Sequence, residues 1–409
     1  MSEAAADDLL PAALRAELFA DDRFAWKRWA PGHLFYRLRL GARRRRWLAR
    51  NVETCRPYLK APLARLEPGA PTLVLGDLSG RSGLSRASRF QLDEIRGLSD
   101  DLTFVDVHAL LADERATISV PGRAFANAFI LVQPDAYWRI LPLLRPDQLA
   151  EAYRVGHWLW ETPQFPQAWR FAADLLHEVW TPSIFCRDTF RKGLTLPVRL
   201  SHYRVDVVAP AAEPSRAGLG VPPEAFLGTA IMDIQSCAAR KNPWAHVEAW
   251  QRAFGADPDK ILILKIRFGK RTRVVQRELA AMIGEADNIR ILEAEMSDEE
   301  VAALQGLSDV YLSLHAAEGY GLNIHEMLTR GVPVVATHWS ANAEFGPRFP
   351  NYHAVAFELR PYRDWLNHYP GPTFAWAWAD IAYAARKLRA IARDLRMARS
   401  LSNQAAAQR

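Results

Sequence analysis

Residues 313–337 read SLHAAEGYGLNIHEMLTRGVPVVAT. A short apolar strand at 310–314 leads into a glycine-containing loop. A helical segment follows, and a second apolar strand begins at Val334 after the turn G-V-P. Strand, loop, helix and strand make a βαβ unit. In open α/β sheets a ligand binds beyond the carboxyl ends of the strands, so the sequence predicts a ligand site at this loop.

Two glutamates flank the predicted start of the helix, Glu318 in the loop and Glu326 inside the helix. The backbone N–H groups of Gly321, Leu322 and Asn323 have no intrahelical acceptor at a helix start. Together with the helix dipole they favour an anion such as a diphosphate. A nucleotide sugar, with a hydroxylated group at each end of a diphosphate, fits this pattern. An ordinary βαβ unit with two solvated glutamates is the alternative.

The run E-G-Y-G-L-N-I-H-E, followed by R-G-V-P-V-V-A-T, resembles the E-x7-E signature of retaining GT-B glycosyltransferases of the family-four group. In that family the first glutamate contacts the donor sugar and the second contacts the nucleotide ribose. The resemblance implies these roles for Glu318 and Glu326. It also implies donor contacts by the loop and the helix start, at Gly319, Tyr320, Gly321, Leu322 and Asn323.

A basic pair follows another predicted strand, at 227–232. The next residues, 233–243, read DIQSCAARKNP and match a loop of one family branch, which carries R-K-N-P. In the family this basic pair holds the donor diphosphate and stabilises charge on the leaving group, often the largest catalytic effect. The resemblance implies catalytic roles for Arg240 and Lys241 and a donor contact by Ser236. Two solvated surface cations are the alternative.

The first domain is predicted to start with a strand at 72–77, a glycine-rich loop at 78–85 and a helix at 86–98. This order is typical of a Rossmann-like domain. In the family the loop reaches toward the donor phosphate and the acceptor, which implies such contacts for Gly83 and Ser85. A plain strand-to-helix turn is the alternative. A dinucleotide cofactor is disfavoured because the G-x-G-x-x-G fingerprint is missing.

Residues 153–166, YRVGHWLWETPQFP, resemble the G-x-W-x-W-E-x-P-x-F-P segment of one family branch. Glu161 is a candidate base or sugar-hydroxyl acceptor, because burial beside tryptophans would raise its pKa. A glutamate that caps the next helix is the alternative. Trp158 and Trp160 are expected in the core rather than as sugar-stacking platforms. His157 is the other titratable group, and which of the two takes part in chemistry stays open.

The predicted fold is α/β and GT-B: two Rossmann-like domains facing each other across a cleft, with a helical N-terminal extension. The predicted parts are a basic and aromatic extension (1–66), an acceptor domain (67–210), a donor domain (211–378), and a C-terminal helix that crosses back to the first domain, with a tail (379–409). Ala316-Ala317 stands where this family branch often has Arg-Ser, which leaves the identity of the donor open.

Composition places the chain among globular proteins, with 49% hydrophobic and 24% charged residues in 409. Cys55, Cys186 and Cys237 form no Cys-x-x-Cys pair and no zinc-type spacing, so a reducing cytoplasm is expected. The N-terminus lacks a signal pattern, and no run reaches the roughly 18 apolar residues of a membrane span.

The net charge of +6 owes much to an amphipathic segment at 26–50, in which arginines alternate with aromatic and apolar residues. Docking on an anionic membrane surface, an anionic lipid-linked acceptor and nucleic acid are competing partners. Nucleic acid is disfavoured because no binding module accompanies the patch. A helix packed on the first domain is the alternative. The expected localisation is cytoplasmic, with peripheral attachment to the inner membrane face as an option.

The resemblance implies a retaining glycosyltransferase that moves a sugar, with a mannose-like hexose or rhamnose favoured, to a glycan or lipid-linked glycan in bacterial surface polysaccharide assembly. No metal or other cofactor is expected, because protein cations and helix amides bind the diphosphate. In the implied front-face displacement, the departing diphosphate oxygen, held by Lys241 and Arg240, takes the acceptor proton, and Glu318 orients the sugar. A noncatalytic sugar-nucleotide or glycan binding module is the alternative.

Overall fold

The computed structural model describes residues 46, 48–113, 115–210, 215–269, 272–362 and 374–407. These residues form two compact units, with the boundary between Val205 and Asp206. The predicted boundary, between 210 and 211, lies five residues later, next to positions 211–214, which are outside the described residues. Most of the predicted extension also lies outside the described residues, and its described part is helical at 48–55.

The first unit is built on a six-stranded parallel sheet with strand order β2-β1-β3-β4-β5-β6. The strands are β1 (Thr72–Gly76), β2 (Leu102–Asp106), β3 (Asn127–Leu131), β4 (Tyr153–His157), β5 (Glu178–Thr181) and β6 (Val198–Leu200). The helices are α1 (Gly83–Arg96), α2 (His108–Ala112), α3 (Tyr137–Ile140) and α4 (Ile184–Arg191). Every residue of β1 and β3 is buried, as expected for central strands of a parallel sheet covered on both faces.

The second unit also has a six-stranded parallel sheet, with strand order β12-β11-β10-β7-β8-β9. The strands are β7 (Phe226–Asp233), β8 (Lys260–Arg267), β9 (Ile289–Leu292), β10 (Val310–Ser313), β11 (Val334–Thr337) and β12 (Tyr352–Val355). The helices are α5 (Ala238–Lys241), α6 (Pro243–Phe254), α7 (Arg273–Ile283), α8 (Asp298–Leu307), α9 (Leu322–Thr329), α10 (Ala341–Phe345) and α11 (Ile381–Ala407). A two-stranded hairpin, β13 (Phe357–Tyr362) and β14 (Phe374–Ala379), completes the unit.

Each sheet has one point where the chain changes direction. In the second unit the strands run outward from β7 through β8 to β9, and then from β10 through β11 to β12 on the other side. In the first unit β1 lies between β2 and β3 in the same way. Such switch points leave a crevice at the carboxyl ends of the two neighbouring strands, where ligands bind in open α/β sheets.

One predicted helix differs in detail from the structure. Helix α1 begins at Gly83 rather than at residue 86, because the Ser82 side chain accepts a hydrogen bond from the Ser85 N–H and so caps the helix. The segment before β5 forms a 3-10 helix at Gln167–Asp174.

The C-terminal helix, predicted within 379–409, is α11, and it packs on α6 of the second unit. Arg389 Nη1 donates to the Arg252 carbonyl over 2.9 Å, and Arg399 Nη2 lies 3.0 Å from Asp309 Oδ1. These contacts place the helix in the second unit. Its predicted crossing to the first domain stays a prediction.

Candidate active site

Glu318 lies between Arg240 and Lys241, in the loop that follows β10. Arg240 Nη1 is 3.3 Å from Glu318 Oε1, and Lys241 Nζ donates to Oε2. The exposed fractions of the side chains are 16% for Glu318, 5% for Arg240 and 21% for Lys241. The alternative interpretation, a solvated glutamate and two solvated cations, is therefore wrong.

The strand order explains why these three residues meet. Arg240 and Lys241 form the end of α5, which follows β7, and Glu318 follows the neighbouring strand β10. The two loops are also joined through their backbones, since the Ala316 N–H donates to the Arg240 carbonyl over 2.8 Å. The carboxyl ends of β7 and β10 thus bring the basic pair and the glutamate to the switch point of the sheet.

Asn242 and His246 fix the basic loop against β10. Asn242 has a φ of 49°, a left-handed conformation that asparagine tolerates better than most residues, and its Nδ2 donates to the Leu314 carbonyl over 3.2 Å. His246 Nε2 accepts the Leu314 N–H over 3.0 Å, so Nδ1 carries the proton and donates to the Asn242 carbonyl. Burial lowers the pKa of His246 to about 4, which keeps the ring neutral.

Glu318 is ionised at neutral pH. Burial raises the pKa of its carboxyl group, but the opposing charges of Lys241 and Arg240 outweigh burial and hold the pKa well below its usual range. Arg240 is held in turn, because Nη2 donates to Ser236 Oγ over 2.9 Å and Nη1 to the Ala317 carbonyl over 3.3 Å. The site therefore combines one fixed carboxylate with two fixed cations.

The start of α9 lies directly after Glu318. Gly321 caps the helix with a φ of 89°, and Leu322 and Asn323 begin its first turn, where backbone N–H groups lack intrahelical acceptors. The Gly319 N–H donates to Glu318 Oε1 over 3.1 Å. The Tyr320 side chain is buried, and its hydroxyl lies 2.9 Å from a ring nitrogen of the histidine one turn into α9. Only the backbone of Tyr320 is therefore suited to the predicted donor contact.

Glu326 is buried, with 2% of its surface exposed. Its Oε2 accepts a hydrogen bond of 2.9 Å from Gln305 Nε2, and Gln305 Oε1 accepts from Arg330 Nε. The glutamate thus links α9 to α8, and the alternative of a solvated glutamate is wrong here too. Its predicted contact with a nucleotide ribose stays a prediction.

The glycine loop of the first unit differs from the sequence-based expectation. Ser85 is fully buried, and its hydroxyl donates to Asp77 Oδ2 over 2.5 Å, while Gly83 is exposed. The glycine that packing requires is Gly80, where a Cβ atom would lie 2.3 Å from Asp77 Oδ1. Asp77 was not predicted as a site residue, although an acidic residue directly after a buried strand can indicate a ligand site. The predicted donor contacts of Gly83 and Ser85 stay predictions.

The two tryptophans after β4 belong to the core, as predicted. Trp158 is fully buried and donates to Tyr137 Oη over 2.9 Å, and Trp160 donates to a threonine hydroxyl two residues later over 2.7 Å. His157 is buried, lies 2.9 Å from the Tyr203 hydroxyl, and has its pKa lowered to about 3 by burial. Glu161 is half-buried, and its chemical role stays a prediction.

Metal ligands and membrane spans can be assessed only for the part of the chain that the structure describes. Within it, no three histidine, cysteine, aspartate or glutamate side chains are grouped so that they could hold a metal ion. No helix there combines the length and apolarity needed to cross a membrane. Cys55, Cys186 and Cys237 are buried thiols.

Solved structures with a similar fold are glycosyltransferases of the GT-B type. HepE of Anabaena, in complex with UDP and glucose, is 15% identical with a TM-score of 0.50, and the match covers 82% of this chain and 100% of HepE. A glycosyltransferase from Rickettsia africae is 12% identical with a TM-score of 0.51, and the match covers 78% of this chain and 88% of that one. No family model and no curated protein matches the chain.

At these identities the likeness establishes the fold. The chain therefore has two Rossmann-like α/β units of the GT-B type, and the predicted fold class is confirmed. The family-four subtype stays a prediction, as does the cleft between the two domains.

Proposed function

We propose that this chain is a glycosyltransferase that moves a sugar from a nucleotide-diphosphate donor to an acceptor hydroxyl. The observation that carries the proposal is the ionised, largely buried Glu318 between Arg240 and Lys241, next to the start of α9. A site that only stabilises the fold has little use for a buried arginine and a mostly buried lysine at a sheet switch point, since buried ion pairs are a poor source of stability.

Each member of the site has a role in the proposed reaction. The Arg240 guanidinium suits bidentate phosphate contact and the Lys241 ammonium suits contact as a point charge. Both would stabilise the negative charge that develops on the diphosphate as it leaves. Ionised Glu318 would accept hydrogen bonds from donor-sugar hydroxyls. The N–H groups at the start of α9 would complete the anion site.

The finer parts of the proposal come from the sequence motifs. The reaction retains the anomeric configuration by front-face displacement, and the departing diphosphate oxygen takes the acceptor proton. The donor carries a mannose-like hexose or rhamnose. The acceptor is a glycan or lipid-linked glycan that binds the first domain, with Glu161 as a polar contact, in bacterial surface polysaccharide assembly. The segment 26–50 would dock the protein on the inner membrane face.

A donor panel tests the proposal. Purified protein is incubated with UDP-glucose, which is bound to HepE in another crystal structure, and with GDP-mannose and dTDP-rhamnose, and nucleoside diphosphate release is measured. Release from at least one donor, lost in Glu318→Ala, supports the proposal. Binding of a donor without any release would favour the noncatalytic module instead. Proton NMR of the released or transferred sugar then gives its anomeric configuration, and an inverted product would refute the front-face mechanism.

A further inference from the structure

The first unit contains a pocket of about 460 Å³ beyond the carboxyl ends of β1, β3 and β4. All residues that line it lie between positions 77 and 159, so the pocket belongs entirely to this unit. Its volume falls in the range of small-molecule sites. Strands β1 and β3 are the neighbours at which this sheet changes direction, so the pocket lies at the switch point of the first unit.

The lining of the pocket suits a sugar ring. Asp77 contributes a carboxylate whose position is fixed by His108 Nδ1 at 2.9 Å and by the Ser85 hydroxyl. Gln133 contributes a side-chain amide. Its Oε1 accepts a hydrogen bond of 3.4 Å from a backbone N–H, which holds the amide in position. Trp138 contributes a half-buried aromatic ring. Fixed polar groups that meet hydroxyls, together with an aromatic face, are what a carbohydrate site needs.

Two guanidinium groups lie close to the ring of this tryptophan. Arg50 Cζ lies 4.9 Å and Arg139 Cζ lies 6.0 Å from the centroid of the Trp138 ring. Arg139 lines the pocket and is anchored to α2, because its Nη2 donates to the Leu110 carbonyl. Arg50 comes from the helical stretch at 48–55, and Arg46, four residues earlier, is on the same helix face and is also exposed. Arg50, the last residue of the segment at 26–50, thus contacts a residue in the wall of the pocket.

We infer that this pocket binds an acceptor that carries a phosphate group, with the phosphate at the guanidinium groups beside Trp138 and a sugar ring near Asp77 and Gln133. Guanidinium groups bind phosphate through paired, charge-assisted hydrogen bonds. The inference rests on the proposed function, since it names the substrate class of the partner that receives the sugar. It covers a soluble glycosyl phosphate and a lipid-linked one, which share this chemistry.

Binding of simple probes to the full-length protein tests the inference. The affinities of glucose 1-phosphate and mannose 1-phosphate are compared with those of methyl glucoside and methyl mannoside by ligand-observed NMR. For at least one sugar we expect the phosphate to improve affinity by roughly tenfold or more, the range for hydrogen bonds to charged groups. Arg50→Ala and Trp138→Ala should each remove most of this gain.

The matched control is another exposed arginine over an aromatic ring in the same unit. Arg96 Cζ lies 5.9 Å from the centroid of the Phe104 ring, and neither residue lines the pocket. Arg96→Ala should therefore keep the phosphate gain. Lys241→Ala should also keep the phosphate gain, since Lys241 does not line this pocket. A phosphate gain that depends on Lys241 would belong to the donor site and would overturn the inference.

Three further outcomes would overturn the inference. Absence of a phosphate gain in the wild-type protein, or a full gain in Arg50→Ala, overturns the inference. In a second arm, binding to phosphatidylglycerol vesicles is compared with binding to phosphatidylcholine vesicles. If Arg50→Ala weakens only vesicle binding, the arginine serves membrane headgroups and the inference fails. Donor turnover is not needed for these readouts, so a protein without nucleoside diphosphate release would refute the proposed function separately.

Discussion

The negative charge of Glu318 stabilises the two cations beside it, Arg240 and Lys241. The Arg240 side chain is 5% exposed and the Lys241 side chain 21% exposed, so both cations have lost much of their hydration. Their attraction to the carboxylate offsets part of that cost. A donor diphosphate would give the same cations a second, more highly charged partner. The arrangement therefore makes the site dependent on Glu318 for stability, and we propose that Arg240 and Lys241 exchange contacts when the donor diphosphate binds.

Glu318→Gln keeps the shape of the side chain and removes its charge. We expect the free energy of unfolding to fall by about 3 kcal/mol, because two poorly hydrated cations lose their carboxylate. Urea unfolding at neutral pH measures the change. Glu248→Gln is the control, since Glu248 forms an exposed pair with Arg252, and its loss should cost less than about 0.5 kcal/mol. An equal, small loss of stability in both variants would show that Arg240 and Lys241 do not depend on the carboxylate of Glu318.

The sequence identified these residues but not their pairing. The E-x7-E spacing and the R-K-N-P run marked Glu318, Arg240 and Lys241, yet Glu318 and Lys241 are 77 positions apart in the chain, and their contact depends on β7 lying beside β10. Strand order in a sheet is not encoded in a local pattern. The left-handed backbone conformation of Asn242 was not predicted for the same reason. The contact that holds it comes from Leu314, which is distant in the sequence.

Helix α9 begins at the candidate donor site and ends away from it, and a glycine with positive φ lies at each end. Gly321, before its first turn, has a φ of 89°, and Gly331, just after its end, has a φ of 80°. Both conformations favour glycine over other residues. A Cβ atom at Gly321 would lie 3.1 Å from Ile324 Cδ1, whereas one at Gly331 would meet no atom within 4 Å.

Gly321→Ala and Gly331→Ala should each destabilise the protein by about 1 kcal/mol, the cost of placing a side chain in the left-handed region. Only Gly321→Ala should also slow donor turnover, because it disturbs the N–H groups at the start of α9. Thermal unfolding and nucleoside diphosphate release, measured on both proteins, give the comparison. Equal turnover losses would show that the helix start has no special part in donor binding.

The buried imidazole of His246 ties α6 to the end of β10 and links stability to pH. Its pKa is about 4 in the folded protein, compared with an ordinary value of 6.5. The unfolded chain therefore binds a proton more readily, so this contribution to stability is complete above about pH 6.5 and is lost as pH falls toward 4. Between about pH 7 and pH 5 the loss amounts to roughly 2 kcal/mol.

In His246→Gln this part of the pH dependence should disappear, although the variant is less stable at neutral pH because it loses buried hydrogen bonds. Urea unfolding at the two pH values measures the slope for each protein. His202→Gln replaces an exposed histidine and should keep the wild-type slope. A wild-type slope in His246→Gln would mean that the His246 imidazole does not take up a proton on unfolding in this pH range.

For the molecule as a whole, one βαβ pattern and one pattern of strand, glycine loop and helix, together with the family resemblance, predicted two Rossmann-like units. The strands at 72–77 and 310–314 were found because each is a short apolar run followed by a glycine loop. The pocket of the first unit was not predicted, since its lining comes from the ends of three strands and from α1, α2 and α3. Motifs that resemble a family predict the elements that carry them, whereas a pocket formed by side chains distant in sequence requires the structure.

The most direct test of the proposed donor site is the rate of nucleoside diphosphate release by Lys241→Ala and Lys260→Ala with the best donor of the panel. The two lysine side chains have almost the same exposed fraction, 21% and 22%, and both belong to the second unit, but only Lys241 contacts Glu318. We predict a loss of about 100-fold or more for Lys241→Ala, as for other groups that stabilise developing charge, and a near-normal rate for Lys260→Ala. Near-normal rates in both variants would contradict the catalytic role of the basic pair.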